Sequence, residues 1–524
     1  MLCAVSPHPV VRVPERLQKW LPAVAAAVAV AALLASVLEL GAVAEDYQFA
    51  VDGARTAAEP SRLLQPFQLV WRPGARLPFV LWAAAGGESF LPLRLLHWLG
   101  GTGLVVLAWA ALRRVVGLPG PLAATLAAWW IASVLGSGLV VGETAFLGHV
   151  AMTACSLGAL LVVRPEMTPR RGVALGALAL GAAACHESWV MLPVAVVGLD
   201  ALVHRLPARR VVRRALPWAG FGAAYLLAYG AITGFAYRGL YAADAATIGA
   251  KLLVSAAMLV RTHPIIGLDF PAALAEAPWS AAAALVLLAA LGAGLARLGR
   301  PRVLWFVGAM LLFGVPTLAS PEQSSRWLAL PWLGVLAAVG AVLADLWRAG
   351  RPWRWVTAGL ALPLAALAAA DAHATRSELG AWRDVAVLTR QLEAELPAVL
   401  QGARPGRVLV VLRHGDGEPL ARITARLSPR RAAFFPRPDD PYGIVSLSAL
   451  LSWHGRAHGL AFRRVDAVPA GAEVLAWRHF AGGFQQLRTV PPVRVRHPDH
   501  PGEGAPGVIL LVEPWASFDA RTFP

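Results

Sequence analysis

Residues 21–47 read LPAVAAAVAVAALLASVLELGAVAEDY. Leu21–Leu40 carries one charge, Glu39, and has the length that a helix needs to cross hydrocarbon, about 20 residues. It is too long, and too poor in a small-residue cleavage site, to favour a removable leader, so it reads as an uncleaved span. Immediately after it stands Glu45-Asp46-Tyr47. Charged groups beside the hydrocarbon are costly and tend to mark chemistry or ion paths, so the acidic pair defines the question the rest of the chain must answer.

Working outward, the same pattern recurs. Leu122–Val141 and Ala281–Leu295 are further long apolar runs, and the 524 residues are 57% hydrophobic and 15% charged. With a mean hydropathy of +0.58 this excludes an ordinary soluble protein. The net charge of +16 suggests nucleic acid at first sight, but the arginines cluster between apolar runs, which is the signature of membrane topology, and no nucleic-acid partner is expected. Cys3, Cys155 and Cys185 lie in or beside apolar segments without CxxC spacing, which argues against a disulfide framework or a zinc site.

Basic clusters at Arg12/Arg16/Lys19, Arg113/Arg114, Arg164/Arg170/Arg171, Arg205–Arg214, Arg297–Arg302 and Arg348–Arg354 mark cytoplasmic ends. An even number of crossings must separate each pair. Residues 172–203 therefore form a helical hairpin, Gly172–Cys185 and Ser188–Val203, with His186-Glu187 at its tip. The remaining spans fall near 20–43, 91–112, 119–141, 144–163, 215–234, 279–296, 303–319, 327–346 and 355–371, making about eleven transmembrane helices. The amino terminus is then inside and the carboxyl terminus outside. The exterior segments become 44–90, 142–144, the 186–187 tip, 235–278, 320–326 and everything after 372.

From Asp371 the composition turns soluble. Val385, Leu388, Leu392 and Leu396 recur at helical spacing, while Val408–Leu412, Val474–Trp477 and Val508–Val512 are short apolar runs bounded like strands. The expected organisation is an α-helical polytopic membrane domain over 1–372 and a soluble α/β exterior domain over 373–524. High Ala, Arg, Gly and Pro suggest a GC-rich bacterial source, hence the inner membrane with a periplasmic carboxyl-terminal domain.

Several exterior residues can carry chemistry. A carboxylate of Glu45-Asp46 can remove a proton from an acceptor hydroxyl or hold a divalent cation, although a solvated helix end looks the same. The same loop continues with Arg55, Arg62, Arg72 and Arg76, against the charge bias of the topology, and arginine forks suit phosphate oxygens. His186-Glu187 reads either as a pair facing the cavity or as a buried hydrogen bond pinning the tip. Arg326, in Glu322-Gln323-Ser324-Ser325-Arg326-Trp327, can reach an anionic lipid headgroup or belong to an interfacial Trp belt. Glu143 and His149 flank the turn between the third and fourth spans and can line the same cavity, although a lone pair like this is more often structural. Tyr237-Arg238, Arg261 and His263 lie in a loop polar enough to form a lid.

Three motifs in this order resemble polytopic glycosyltransferases of the GT-C fold, which use polyprenyl-phosphate sugars. They are Glu45-Asp46-Tyr47 after the first span, the stretch from Cys185-His186-Glu187 to Leu192-Pro193, and Ser325-Arg326-Trp327 running to Leu330-Pro331. The resemblance covers roughly 20–370 and not the exterior domain. His186 stands where the family has a lysine, and histidine is only partly charged near neutral pH. The resemblance implies a GT-C-like fold and a polyprenyl-phosphate-linked sugar donor entering from the membrane lipid, with transfer at the periplasmic face. It implies Asp46 as the base with Glu45 in reserve, and Tyr47, Arg72, Arg76, His186, Glu187 and Arg326 on the substrate, with Arg326, Arg72 and His186 on the phosphate. No cofactor is called for, except that the first loop can support a divalent cation. A membrane transporter or lipid flippase is the rival reading, weakened by the lack of paired halves. A non-catalytic envelope anchor is the third.

Overall fold

The computed structural model describes residues 18–43, 46–67, 70–234, 244–260, 274–275, 278–297, 299–319 and 325–401, and beyond these 407–413, 450–451, 453–455, 461–464, 473–480, 483–486 and 509–515. Within them the chain is overwhelmingly helical. The helices are α1 (Leu21–Leu33), α2 (Asp46–Ala58), α3 (Pro73–Ala84), α4 (Leu91–Ala111), α5 (Gly120–Ala132), α6 (Leu147–Val162) and α7 (Pro169–Cys185). They continue with α8 (Leu192–Gly198), α9 (Ala208–Thr233), α10 (Ala245–Leu259), α11 (Pro278–Arg297), α12 (Pro301–Leu312), α13 (Ala329–Arg348) and α14 (Arg351–Gln401). Proline in the first turn opens many of them, where its missing N–H costs nothing: Pro22, Pro73, Pro92, Pro121, Pro169, Pro193 and Pro301. Gly234 closes α9 at φ +60°, the left-handed geometry that a helix end favours in glycine.

Seven helices among the described residues are long and apolar enough to cross a membrane: Leu91–Val116, Thr144–Val162, Ala208–Thr233, Pro278–Arg297, Pro301–Leu318, Arg326–Arg348 and Arg351–Asp384. Each of the eleven expected spans is helical where it is described, but not all are continuous. The 119–141 segment breaks at Ser133, whose hydroxyl accepts from the Gly136 amide and starts a separate turn at Val134–Ser137. The 172–203 hairpin forms with its tip at 186–187. Its second arm is a 3₁₀ turn (Glu187–Met191), the seven residues of α8 and a π turn (Leu199–Val203). Among the described residues seven of the eleven expected spans reach membrane length, and the other four hold shorter helices. Two expected exterior loops also hold helices of their own, α2 and α3 in 44–90 and α10 in 235–278.

Helix α13 is the hub, with 78% of its apolar window buried, whereas α9, α11 and α14 turn most of their surface outward. Large apolar side chains such as Leu227, Val286, Trp355 and Leu362 are exposed there, as lipid-facing residues are.

The expected boundary at 372/373 falls inside α14, a continuous helix of 51 residues. At 1.5 Å per residue it extends roughly 77 Å, far beyond one bilayer thickness. Leu396, expected on its apolar face, is fully buried. Beyond it the described strands β1 (Arg407–Arg413), β2 (Ala461–Arg464), β3 (Glu473–Phe480), β4 (Gly483–Gln486) and β5 (Ile509–Trp515) form one sheet in the order β2-β5-β1-β3-β4. The β1–β3 pair is parallel and the other three pairs are antiparallel. An α/β domain over 373–524 is not supported. Residues 373–401 belong to the bundle's last helix, and few helical residues are described among the strands. Glu45, Tyr237-Arg238, Arg261, His263 and Glu322–Ser324 lie outside the described residues.

Candidate functional site

Asp46 opens α2 and is wholly buried. Its Oδ2 accepts from the Val43 amide at 3.1 Å and from Arg94 Nη2 at 2.7 Å; its Oδ1 accepts from the Thr144 hydroxyl at 2.7 Å and the Ala145 amide at 3.1 Å. Arg94 is equally buried, and its other nitrogens donate to the Gly41 and Gly142 carbonyls. Burial pushes the Asp46 carboxyl up, while Arg94, Thr144 and the two amides work against that shift. Four donors occupy both oxygens, leaving no lone pair for an acceptor hydroxyl or a cation. Asp46 thus holds the start of α2 against the Glu143–Phe146 turn, and acting as the base would require it to give up one of these four donors.

Tyr47 and Arg76 are engaged in the same way. The Tyr47 hydroxyl donates to Glu393 Oε1 at 2.6 Å, and His454 Nε2 lies 3.2 Å from that same oxygen. Tyr47 therefore clamps the first loop to α14 and to the segment around Trp453, which stacks on Trp82. Arg76 forks onto Asp52 at 2.7 and 2.9 Å and also donates to Thr56 Oγ1 and the Arg62 and Gln65 carbonyls. Gly53 lets α2 and α3 approach this closely, since a Cβ there would meet the Phe79 carbonyl oxygen at 2.7 Å. Arg76 closes the α2–α3 hairpin and has no donor to spare for a phosphate.

The other four residues do assemble. Arg72, just before α3, forks onto Glu187 at the hairpin tip, with Nε 2.9 Å from Oε1 and Nη2 2.7 Å from Oε2. Burial tends to raise the Glu187 carboxyl, but Arg72 and His186 outweigh it and hold it near 2, so it is ionised. His186 Nδ1 accepts from the Ser188 amide at 3.2 Å, which leaves the ring proton on Nε2, 3.8 Å from Glu187. Burial, and then the charge of Arg72, push His186 down to about 3. His186 is thus a neutral donor and supplies no fixed positive charge. Its ring faces His149, with centroids 4.2 Å apart. Arg326 lies over the Phe146 ring, with Cζ 4.0 Å from the centroid, and Phe146 in turn meets His149 edge-on.

A narrow cavity of about 30 Å3 opens between these elements, lined by Arg72, Ala75, Ala145, Gly148, His149 and Cys185 together with Phe49 and Phe67. That is room for one or two water molecules. Gly148 makes the closure possible: a Cβ there would collide with Ala75 and lie 3.1 Å from the Cys185 carbonyl oxygen. His149 is 6% exposed, and its Nε2 is buried with no hydrogen-bond partner among the described residues. Tyr225, Tyr229, Trp71 and Trp189 form an aromatic wall behind Arg72 and Glu187. Among the described residues no group of three or more His, Cys, Asp or Glu side chains is disposed to hold a metal ion.

Two members were underrated or missed from sequence. His149, read as able to line the cavity but more often structural, does line it. Lys251 on α10 is fully buried, donates to the Thr317 carbonyl at 2.6 Å and lies 5.0 Å from the Trp327 ring, beside Arg326. The available signal was that Lys251 is the one charged residue in Ala245–Leu259. Compared with known protein families, curated proteins and solved structures, the chain matches none.

Proposed function

We propose that the protein is an integral-membrane glycosyltransferase that moves a sugar from a polyprenyl-phosphate donor to an acceptor at the outer face of the membrane. One observation carries this reading: Arg72 and His149 line one cavity, the His186 ring faces His149 with centroids 4.2 Å apart, and Arg326 meets the same cluster over Phe146, although these residues come from segments far apart in the chain. Cleaving a glycosyl phosphate leaves charge on the phosphate oxygens, and preorganised donors aimed at them lower the barrier. Arg326 and Arg72 supply charge there, and the neutral His186 supplies an Nε2–H donor.

Glu187 now occupies the fork of Arg72, where a planar anion sits best. On this reading the donor phosphate takes the place of that carboxylate, and the released Glu187 shifts toward the His186 ring. The sugar then rests against the aromatic wall of Trp71, Tyr225 and Tyr229. With Asp46 committed to Arg94 and Thr144, proton removal from the acceptor falls to its neighbour Glu45. The arginine distribution supports an orientation with the amino-terminal side inside and the carboxyl-terminal end outside, and the high Ala, Arg, Gly and Pro content supports a bacterial inner membrane.

The test is transfer of label from a polyprenyl-phosphate sugar in membranes carrying the wild-type protein, Arg326→Ala or Glu45→Gln. Loss of incorporation in both variants, at normal protein levels, is the expected result. Substrate uptake into sealed vesicles without any incorporation would instead identify a carrier, and full incorporation by Arg326→Ala would remove the cluster from the mechanism.

A further inference from the structure

A second cavity lies at the other end of the hairpin from Glu187. It holds about 690 Å3, within the range of small-molecule sites, roughly 300–1,000 Å3. Its walls are apolar: Leu175, Gly176 and Ala179 of α7, Val196 of α8, and Trp218 and Phe221 of α9. Its rim is cationic, formed by Arg210, Arg213 and Arg214 with Asp200. Asp200 is satisfied, since Arg214 Nη1 donates to it at 3.0 Å and His204 Nδ1 lies 3.0 Å away. Arg214 also donates to the Arg164 and Pro165 carbonyls. The guanidiniums of Arg210 and Arg213 are exposed and have no ion-pair partner among the described residues.

We infer that this cavity is a binding site for an anionic phospholipid, with one acyl chain between α7 and α9 and the phosphate on Arg210 and Arg213. Charge complementarity selects this occupant. An apolar slot demands a chain and two uncompensated arginines demand an anion, and basic pockets between membrane helices bind anionic headgroups for this reason. The surroundings are lipid-facing, because Val173, Leu180, Val212 and Leu216 beside the slot are all more than half exposed. The wall from Arg210 to Phe221 rises through eleven residues, roughly 17 Å, long enough to shelter much of an acyl chain. The site is separate from the donor cluster. The 17 residues of α7 put roughly 25 Å between the rim and the hairpin tip, so a headgroup bound here is out of reach of Arg72 and Arg326.

Gly176 offers a clean probe. A Cβ there meets nothing within 4 Å, so a large side chain enters the cavity without touching backbone. The full-length protein in detergent is depleted of lipid, offered phosphatidylglycerol, phosphatidylcholine or a polyprenyl phosphate, and weighed by native mass spectrometry. Wild type should retain phosphatidylglycerol roughly 30-fold better than phosphatidylcholine, the discrimination expected from two surface arginines. Gly176→Phe should lower retention of phosphatidylglycerol. The exposed double variant Arg210→Gln/Arg213→Gln, which leaves the interior untouched, should bring it down to the phosphatidylcholine level. Equal retention of the two phospholipids by wild type, unchanged retention in Gly176→Phe, or displacement of phosphatidylglycerol by equimolar polyprenyl phosphate would each overturn the assignment. None of these readouts depends on sugar transfer.

Discussion

Two ion pairs stand close together in this bundle and differ in one respect. Asp46–Arg94 is sealed: both residues are fully buried, and all four hydrogen bonds that the carboxylate accepts come from the protein. Arg72–Glu187 is open on one side, with side chains 23% and 16% exposed, beside a cavity and two stacked histidines. Acidic–basic pairs look alike in a sequence. What separates a structural pair from one that can exchange its partner for a ligand is whether every lone pair and donor is already used. The two are mechanically linked, because the turn that Asp46 grips carries Ala145 and Phe146, which face the open pair and Arg326.

The largest expected effect lies on the open side. Arg326→Ala should cut sugar transfer by about 10²–10³-fold, the usual cost of removing one preorganised charge-stabilising group, with the melting profile little changed. Transfer measured at equal protein level decides it, and an unaltered rate would break the contrast. On the sealed side, Asp46→Asn should act on stability first. It leaves Arg94 buried without its counter-charge, a loss of roughly 3–5 kcal/mol that denaturation in detergent would register. If that variant unfolds like wild type yet transfers no sugar, Asp46 is chemical and the distinction drawn here fails.

Acid sharpens the comparison further. His186 is held near 3 in the folded protein against 6.5 when free, so the unfolded chain takes the proton first and stability falls as pH drops below 6.5. Glu187, held near 2 against 4.5, contributes stability that is complete above 4.5 and disappears as pH falls toward 2. Unfolding followed from pH 7 to 3 should therefore weaken in two stages, with His186→Asn shrinking the upper stage and Glu187→Gln the lower. A profile identical in all three proteins would show that neither group is as enclosed as its contacts imply. The smallest effect belongs to Tyr47→Phe, which removes one hydrogen bond to Glu393 and should cost about 1 kcal/mol without altering transfer.

The apolar runs made the helices readable, because crossing hydrocarbon requires every backbone group to be paired within its own segment. The hairpin tip at 186–187 also followed from sequence, since two arginine clusters cannot be joined through so apolar a stretch without turning back. The rest of the site was legible only in part. Glu45-Asp46 and Arg72/Arg76 read as equivalent chemistry in one loop, yet Arg76 is engaged within that loop and Asp46 by Arg94 and Thr144, while Arg72 reaches 115 positions ahead to Glu187. Lys251 and His149 drew little notice because their partners come from other helices.

Composition and spacing, then, determined that this chain is built of membrane-length helices with arginine-rich ends and a charged hairpin tip, since those features follow from local hydropathy and need no partner. Which carboxylate is locked and which is exchangeable was decided by the tertiary structure alone. That property depends on how many donors converge on each oxygen, and all but one of those donors arrive from 48 to 115 positions away.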